Sequence, residues 1–253
     1  MEELQISYFL LPLFFLIAFL FASVGHGGAS GYLAIFAFAG IARSEIAPVV
    51  LIMNILVASN SFWNYYKAKY FSFKLLLPFV ISSVPGAFIG GFIRVPSNIF
   101  SLLLGFALLL AALRLLFYQG QVISRWKDYS GKPFLYAIPI GFIIGILSGI
   151  TGIGGGVFLS PFLLMSDWAD AKQTSAVSAA FIALNSLAGL LGKAFHMQIH
   201  WEIAITLGIV VLIGGQLGSY LGANKFNPKI LQKLLGVALI VASIKLLKDL
   251  IFI

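Results

Sequence analysis

Apolar runs of 11 to 26 residues, separated by short polar or glycine-rich breaks, fill nearly the whole chain and fall into two sets of five. The first set covers 8–24, 28–42, 46–66, 73–93 and 98–118; the second covers 134–151, 156–166, 174–194, 201–223 and 228–253. Runs this long and this apolar predict helices, and about 20 such residues span the hydrocarbon core of a bilayer. The third, fourth and fifth runs of each set reach that length, whereas the first two are shorter. As helices, 8–24 would be roughly 26 Å long and 28–42 roughly 22 Å. Both are expected to stop within the membrane, with a turn between them.

That turn is glycine-rich in both sets. Gly152-Ile153-Gly154-Gly155-Gly156 returns 127 residues earlier as Gly25-His26-Gly27-Gly28-Ala29. Each glycine costs a helix about 1 kcal/mol relative to alanine, so such clusters mark deliberate interruptions. The correspondence continues in order: Asn60-Ser61 with Asn185-Ser186, Gly86 and Gly90 with Gly214 and Gly218, Gly105 with Gly236, and Arg114 with Lys245. The chain therefore reads as two copies of one unit, repeat 1 over 8–118 and repeat 2 over 134–253, joined by a loop at 119–133. The two GxxxG pairs suit close helix approach, either within the chain or in a homodimer.

Composition agrees: 60% of residues are hydrophobic, 9% are charged, and the mean hydropathy is +1.04. The chain belongs in the lipid bilayer. Its net charge of +8 comes from small basic groups between apolar runs, which act as topology determinants and do not form a nucleic-acid face. The N-terminus, Met1-Glu2-Glu3-Leu4, lacks the positive region of a cleavable signal, so the first run is expected to remain. If each glycine pair enters and leaves on one side, 11 of the 16 basic residues share a side, among them Lys67, Lys69, Lys74, Lys127, Lys172 and Lys225. The other side holds Arg43, Arg94, Lys193, Lys245 and Lys248. Counting each pair as one broken crossing gives about 10 to 6 of the same residues. The positive-inside rule favours the hairpin. Each half then ends opposite to where it began, its copy runs upside down, the loop 119–133 is cytoplasmic, and both termini face outward. The expected fold is an all-α polytopic membrane protein of two inverted repeats, each a broken glycine-turn hairpin plus three transmembrane helices, with a site between the repeats.

Irregular backbone at membrane depth survives only where protein buries it or where it lines a wet cavity. A helix begins after each turn, at Gly28 and at Gly156, and its free amides with the positive end of the helix dipole favour an anion. All eight acids lie at or beyond the run ends, which also argues for an anionic cargo. The candidate binding residues are Gly25, His26, Gly27, Gly28 and Ser30 in the first copy, Thr151, Gly152, Gly154, Gly155 and Gly156 in the second, and Asn60 and Asn185 on the third runs. Ser23, Ser148, Ser160, Asn54, Asn64 and Ser178 are further polar side chains nearby in sequence, equally suited to helix-to-helix hydrogen bonds. His26 stands where the second copy has Ile153, and it attracts an anion, carries a coupled proton, or packs as a neutral ring bonded to a backbone carbonyl. Arg94, Lys193 and His196 read as interfacial anchors. The chain contains no cysteine, HExxH or paired mid-span acids, so an enzyme is not expected, nor are a metal or cofactor.

Gly152-Ile153-Gly154-Gly155-Gly156 followed by Pro161 resembles the GxGGGxxxxP pattern of the sulfite exporter TauE/SafE membrane proteins. The resemblance extends over nearly the whole chain, including the internal repetition and the stretch from Gly214 to Gly218. The first copy departs from the pattern at Ala29 and Ala34. The resemblance implies transport of sulfite, thiosulfate or organosulfonates across the bacterial cytoplasmic membrane, linked to proton movement. The residues by themselves lead to a small-anion transporter; an anion channel, a carrier of another anion such as a carboxylate, and a non-transporting membrane protein are the rivals.

The topology can be checked in this cysteine-free background. Lys127→Cys is expected to react with a thiol reagent only from the cytoplasmic side; labelling from outside intact cells would overturn the hairpin assignment.

Overall fold

The computed structural model describes residues 8–41, 43–96 and 132–227, together with isolated helical positions between 99 and 116 and between 233 and 247. The described residues are helical, with no strand. In chain order the helices are α1 (Leu11–Ala22), α2 (Ala29–Phe38), α3 (Arg43–Lys67), α4 (Phe73–Phe92), α5 (Lys132–Thr151), α6 (Gly156–Met165), α7 (Ala171–Ala194) and α8 (Trp201–Asn224). Four are long and apolar enough to cross a membrane: the Ile46–Lys67 part of α3, and α4, α7 and α8. Most of the fifth run of each set and most of the loop 119–133 lie outside the described residues. At the end of that loop, α5 starts at Lys132, because Pro133 is tolerated in a first turn whose N–H would have no partner anyway.

The broken helices are shorter than the apolar runs suggest. α1 has 12 residues and α2 has 10, about 18 Å and 15 Å at 1.5 Å per residue. Left-handed glycines set the limits, Gly25 and Gly28 between the two helices and Gly40 after α2, with φ of +76°, +94° and +74°. Gly152 and Gly155 repeat the first two, at +74° and +78°.

Corresponding helices of the two halves, α1 with α5, α2 with α6, α3 with α7 and α4 with α8, make corresponding contacts. α4 packs along α5 of the other half, and α8 packs along α1. α4 likewise lies on α7 and α8 on α3, while α3 and α7 face each other at the centre. The halves are thus interleaved. Glycine makes this possible, because a β-carbon on Gly86 would lie 2.7 Å from the carbonyl oxygen of Phe142, and one on Gly90 would strike that of Ile146. In the other half, Gly214 and Gly218 meet the carbonyls of Phe15 and Phe19, which stand 127 residues before Phe142 and Ile146. Both GxxxG motifs are therefore occupied within the chain. Large apolar side chains point outward instead, as on α8, where Ile205 and Ile209 are 61% and 57% exposed, a surface suited to lipid.

Basic residues gather at two ends. At one, the Lys172 ammonium donates to the carbonyls of Gly222 and Ala223 at the end of α8, the latter at 3.0 Å, and lies 5.7 Å from the Tyr70 ring. At the other, Phe195 after α7 stacks on Phe92 at the end of α4, with ring centroids 4.9 Å apart. Arg94, Lys193 and His196 collect there.

Replacing Gly90 or Gly218 by alanine drives a methyl into a facing backbone carbonyl and is expected to cost about 1–3 kcal/mol. Gly189→Ala adds a methyl at ordinary contact distance, 3.5 Å from the Gly149 α-carbon. Thermal unfolding in detergent should separate the pairs: Gly90→Ala and Gly218→Ala melting below the parent, Gly189→Ala melting with it. Equal melting of all three would refute the interleaved packing.

Candidate functional site

The first turn closes on α1. The amides of Gly25 and His26 donate to the carbonyls of Ala22 and Phe21, at 3.0 and 2.9 Å. α2 then starts from Gly28, and its first amide, that of Ala29, donates to Asn54 Oδ1 of α3 at 3.2 Å. Asn54 Nδ2 in turn donates to Ser186 Oγ of α7 at 2.8 Å. One side-chain amide thus joins the first turn to both central helices.

The second turn reaches the same amide. A β-carbon on Gly154 would lie 2.5 Å from Asn54 Nδ2 and 2.6 Å from Ser186 Oγ, and one on Gly27 would fall on Asn54 Oδ1. Both turns are pressed against Asn54, and only glycine fits at either position. They arrive from opposite ends of α7. Gly25 packs on the backbone of Ser175 near the start of the helix, Gly152 faces Lys193 near its end, and Gly154 sits at Ile182 and Ser186 between them. On α3 the order is reversed, since Tyr65 donates to the Ser23 carbonyl at 2.7 Å while Leu51 faces Gly152.

The open end of each first helix is held by a side chain of a central helix. Tyr65 does this at Ser23, and the Lys193 ammonium does it at Ile150, 3.4 Å from that carbonyl oxygen. Ser23 and Ile150 are 127 residues apart, the same spacing as the turns. Lys193 is only 3% exposed, so the reading of it as an interfacial anchor does not hold. Its stem runs inward along Gly152 and its charge caps the C-terminal end of α5, where a cation is favoured. Arg94 and His196 lie nearby. The His196 ring is held below its ordinary pKa by burial and by the charges of Arg94 and Lys193.

His26 reaches across to the second half. Its Nδ1 is 3.0 Å from the Val24 carbonyl oxygen and its Nε2 is 3.1 Å from Ser160 Oγ, which is 2.8 Å from Ser178 Oγ. A carbonyl only accepts, so Nδ1 carries a proton. In the neutral ring Nε2 accepts from Ser160; protonation of Nε2 reverses that bond and frees the Ser160 hydroxyl to donate to Ser178. Ile153, the counterpart of His26, is instead buried in the apolar core cluster that also holds Val49, Val50 and Val57.

The remaining candidates divide. Ser30 is buried beside the first turn, with no hydrogen-bond partner for its hydroxyl among the described residues. Tyr32 and Ser148, which stand against Gly28 and Gly155, are in the same position. Thr151 donates to the Leu147 carbonyl at 2.6 Å. Gly156 packs on Ile182. Asn185 is buried and donates to the Phe181 carbonyl at 2.8 Å, while its Oδ1 lacks a partner among the described residues. Asn60 lies apart from the turns, with Trp63 and Gln216 in a groove of 730 Å³ between α3 and α8. The repeat places Asn60 and Asn185 in equivalent positions, but their surroundings differ. Asn54 and Ser186 carry the junction, and a search for repeated residues passes over Asn54 because its counterpart, 125 residues on, is Ala179.

The comparisons with known proteins agree with a membrane transporter. The family model described as "Sulfite exporter TauE/SafE" matches residues 10–246. A protein of Sinorhizobium fredii named "Probable membrane transporter protein" is 33% identical over 243 residues, covering 92% of this chain and 95% of its own. One so named from Bacillus subtilis is 28% identical over 220 residues, 80% of each chain. Another, from Methanocaldococcus jannaschii, is 32% identical over 125 residues, 46% of this chain and 47% of its own. No solved structure matches.

Asn54→Ala leaves the Ala29 amide and the Ser186 hydroxyl buried without their partner, at about 1–3 kcal/mol for each lost bond. Ser186→Ala removes only one bond. Asn54→Ala is therefore expected to lower the unfolding temperature clearly more than Ser186→Ala, and equal losses would deny Asn54 its place at the junction.

Proposed function

The chain belongs to the sulfite exporter TauE/SafE family, and from that premise we propose that it is a secondary transporter moving a small sulfur-containing anion, such as sulfite, thiosulfate or an organosulfonate, across the bacterial cytoplasmic membrane by alternating access. The observation that carries this reading is the meeting of two glycine turns on Asn54, one from each end of α7. Each turn leads into a helix start, α2 or α6, whose amides and dipole suit negative charge. A cargo at that junction would touch both repeats at once. Relative movement of the repeats would then open it to one face or the other.

The opposite approach along α7 and the reversed order along α3 support an inverted relation between the repeats. So does the grouping of Lys172 with the end of α8, since these belong to the basic set that the positive-inside rule assigns to the cytoplasm. The His26, Ser160 and Ser178 chain is the part suited to a coupled proton, because its hydrogen bonds can reverse direction as one proton is gained.

Counterflow in proteoliposomes tests the proposal: one candidate anion is loaded inside and uptake of labelled sulfite is followed at several pH values. Saturable exchange, faster with a trans anion and competed by thiosulfate, taurine or sulfoacetate, is the expected outcome. Non-saturable flux without trans acceleration would indicate a channel, competition only by small carboxylates would change the cargo, and no exchange of any of these anions by folded protein would remove the reading.

A further inference from the structure

The groove of 730 Å³ between α3 and α8 faces the lipid, with Trp63 in its wall 53% exposed. Its volume lies in the range of about 300–1,000 Å³ usual for small-molecule sites. The two helices run parallel along it, since Asn60 meets the Leu212 carbonyl and Asn64 meets Gln216, both pairs 152 residues apart. The C-terminal ends of both helices therefore lie at the same end of the groove.

The lining changes with depth from that end. The Lys67 ammonium turns back along α3 to lie 4.7 Å from the centre of the Trp63 ring, and Tyr66 stacks on Trp63. Tryptophan and tyrosine at the end of a span mark the membrane interface. Gln216 is level with Asn64, and Asn60 stands seven residues before Lys67, about 10 Å deeper along the helix. Leu56 and Ile55 continue the wall deeper still.

Three polar side chains of this wall keep hydrogen-bonding capacity unused among the described residues. Gln216 accepts from Asn64 through Oε1 at 3.3 Å, which leaves its Nε2 to donate elsewhere. Asn60 is 3.5 Å from the Leu212 carbonyl oxygen, longer than an ordinary hydrogen bond. Ser59 is exposed and makes no hydrogen bond. Polar groups turned toward hydrocarbon are costly unless they are paired. The packing common to both repeats does not call for them. At the spacings that match the halves, Ser59, Trp63, Lys67 and Gln216 correspond to Leu184, Ala188, Gly192 and Phe88.

Charge selects the occupant. Lys67 is exposed and has no ion-pair partner among the described residues. It belongs to the basic set that the positive-inside rule assigns to the cytoplasm, where the leaflet holds anionic lipids. A second copy of the chain, related by a two-fold axis along the membrane normal, would bring two Lys67 ammoniums to the same level, an unfavourable pairing. An occupant that suits the groove carries an anion at Lys67, acceptor oxygens one to two turns deeper for Gln216, Asn60 and Ser59, and apolar chains below them. Phosphate, ester carbonyls and acyl chains follow one another in that order in a glycerophospholipid.

We propose that the groove between α3 and α8 is a binding site for an anionic glycerophospholipid of the surrounding leaflet, with its phosphate at Lys67, its ester carbonyls at Gln216, Asn60 and Ser59, and an acyl chain along Leu56 and Ile55. The lipid bridges a helix of each repeat. The site is independent of what the protein carries.

Thermal unfolding of the detergent-solubilised protein, titrated with phosphatidylglycerol and with phosphatidylcholine of the same acyl chains, tests the headgroup. Phosphatidylglycerol should stabilise at a concentration roughly five-fold lower, as one surface contact between a lysine and an anionic lipid implies. Lys67→Gln should erase that preference. Lys74→Gln, which removes a charge at the same end but on α4, should keep it, and Asn60→Leu with Gln216→Leu should weaken binding of both lipids. Trp63 reads the groove itself. In phosphatidylcholine vesicles holding a small fraction of phosphatidylglycerol with brominated chains, the quenching seen in the parent and lost in Trp63→Phe should saturate with that fraction and be reversed by unlabelled phosphatidylglycerol. Equal potency of the two lipids in the parent, loss of the preference in Lys74→Gln as in Lys67→Gln, or Trp63 quenching that rises only in proportion to the brominated lipid would overturn the site. So would a dimer in detergent that Gln216→Leu converts to monomer, which would give the groove to a second copy.

Discussion

Breaking a helix inside hydrocarbon strands the carbonyls at one end and the amides at the other, and there is no water to receive them. The centre of this protein is organised around receiving them. Tyr65 takes up the Ser23 carbonyl, Lys193 the Ile150 carbonyl, and Asn54 the Ala29 amide. All three donors or acceptors come from α3 or α7, the full-length helices at the middle of the molecule. Those helices therefore provide two things at once, a spanning scaffold and the polar groups that make interrupted helices tolerable.

The outer pairs, α4 with α5 and α8 with α1, solve a different problem. In lipid there is little hydrophobic drive to bring helices together, so close backbone approach has to supply the attraction. Gly86 and Gly90, and Gly214 and Gly218, allow this by removing the side chains that would hold carbonyls apart. Each pair joins one half to the other. A broken helix of one repeat is carried on a spanning helix of its copy.

The equivalence of the halves is one of backbone, and it does not extend to chemistry. Gly25 matches Gly152 and Gly28 matches Gly155 in their left-handed conformation. His26, however, enters a hydroxyl chain while Ile153 enters the apolar core, and Asn54 has only Ala179 as its counterpart. Lys193, which has Ala68 at the matching position of the first half, belongs to the same asymmetry.

The sequence alone determined the helical membrane class, eight of the ten apolar runs as helices within a few residues, the glycine turns and the internal repeat. These are local properties: hydropathy, run length and glycine clustering act on the chain where they occur, and a repeat is visible by comparison of letters. Tertiary structure alone decided that the halves interleave, that Asn54 and Ser186 join the turns, that Asn60 lies in an outer groove, and that Lys193 points inward along Gly152. A side chain such as asparagine or lysine carries the same letter whether it meets lipid, water or a stranded backbone group. Which of these it meets depends on helices distant in the chain, 132 residues apart for Asn54 and Ser186 and 43 for Lys193 and Ile150, and only their packing brings such groups within hydrogen-bonding distance.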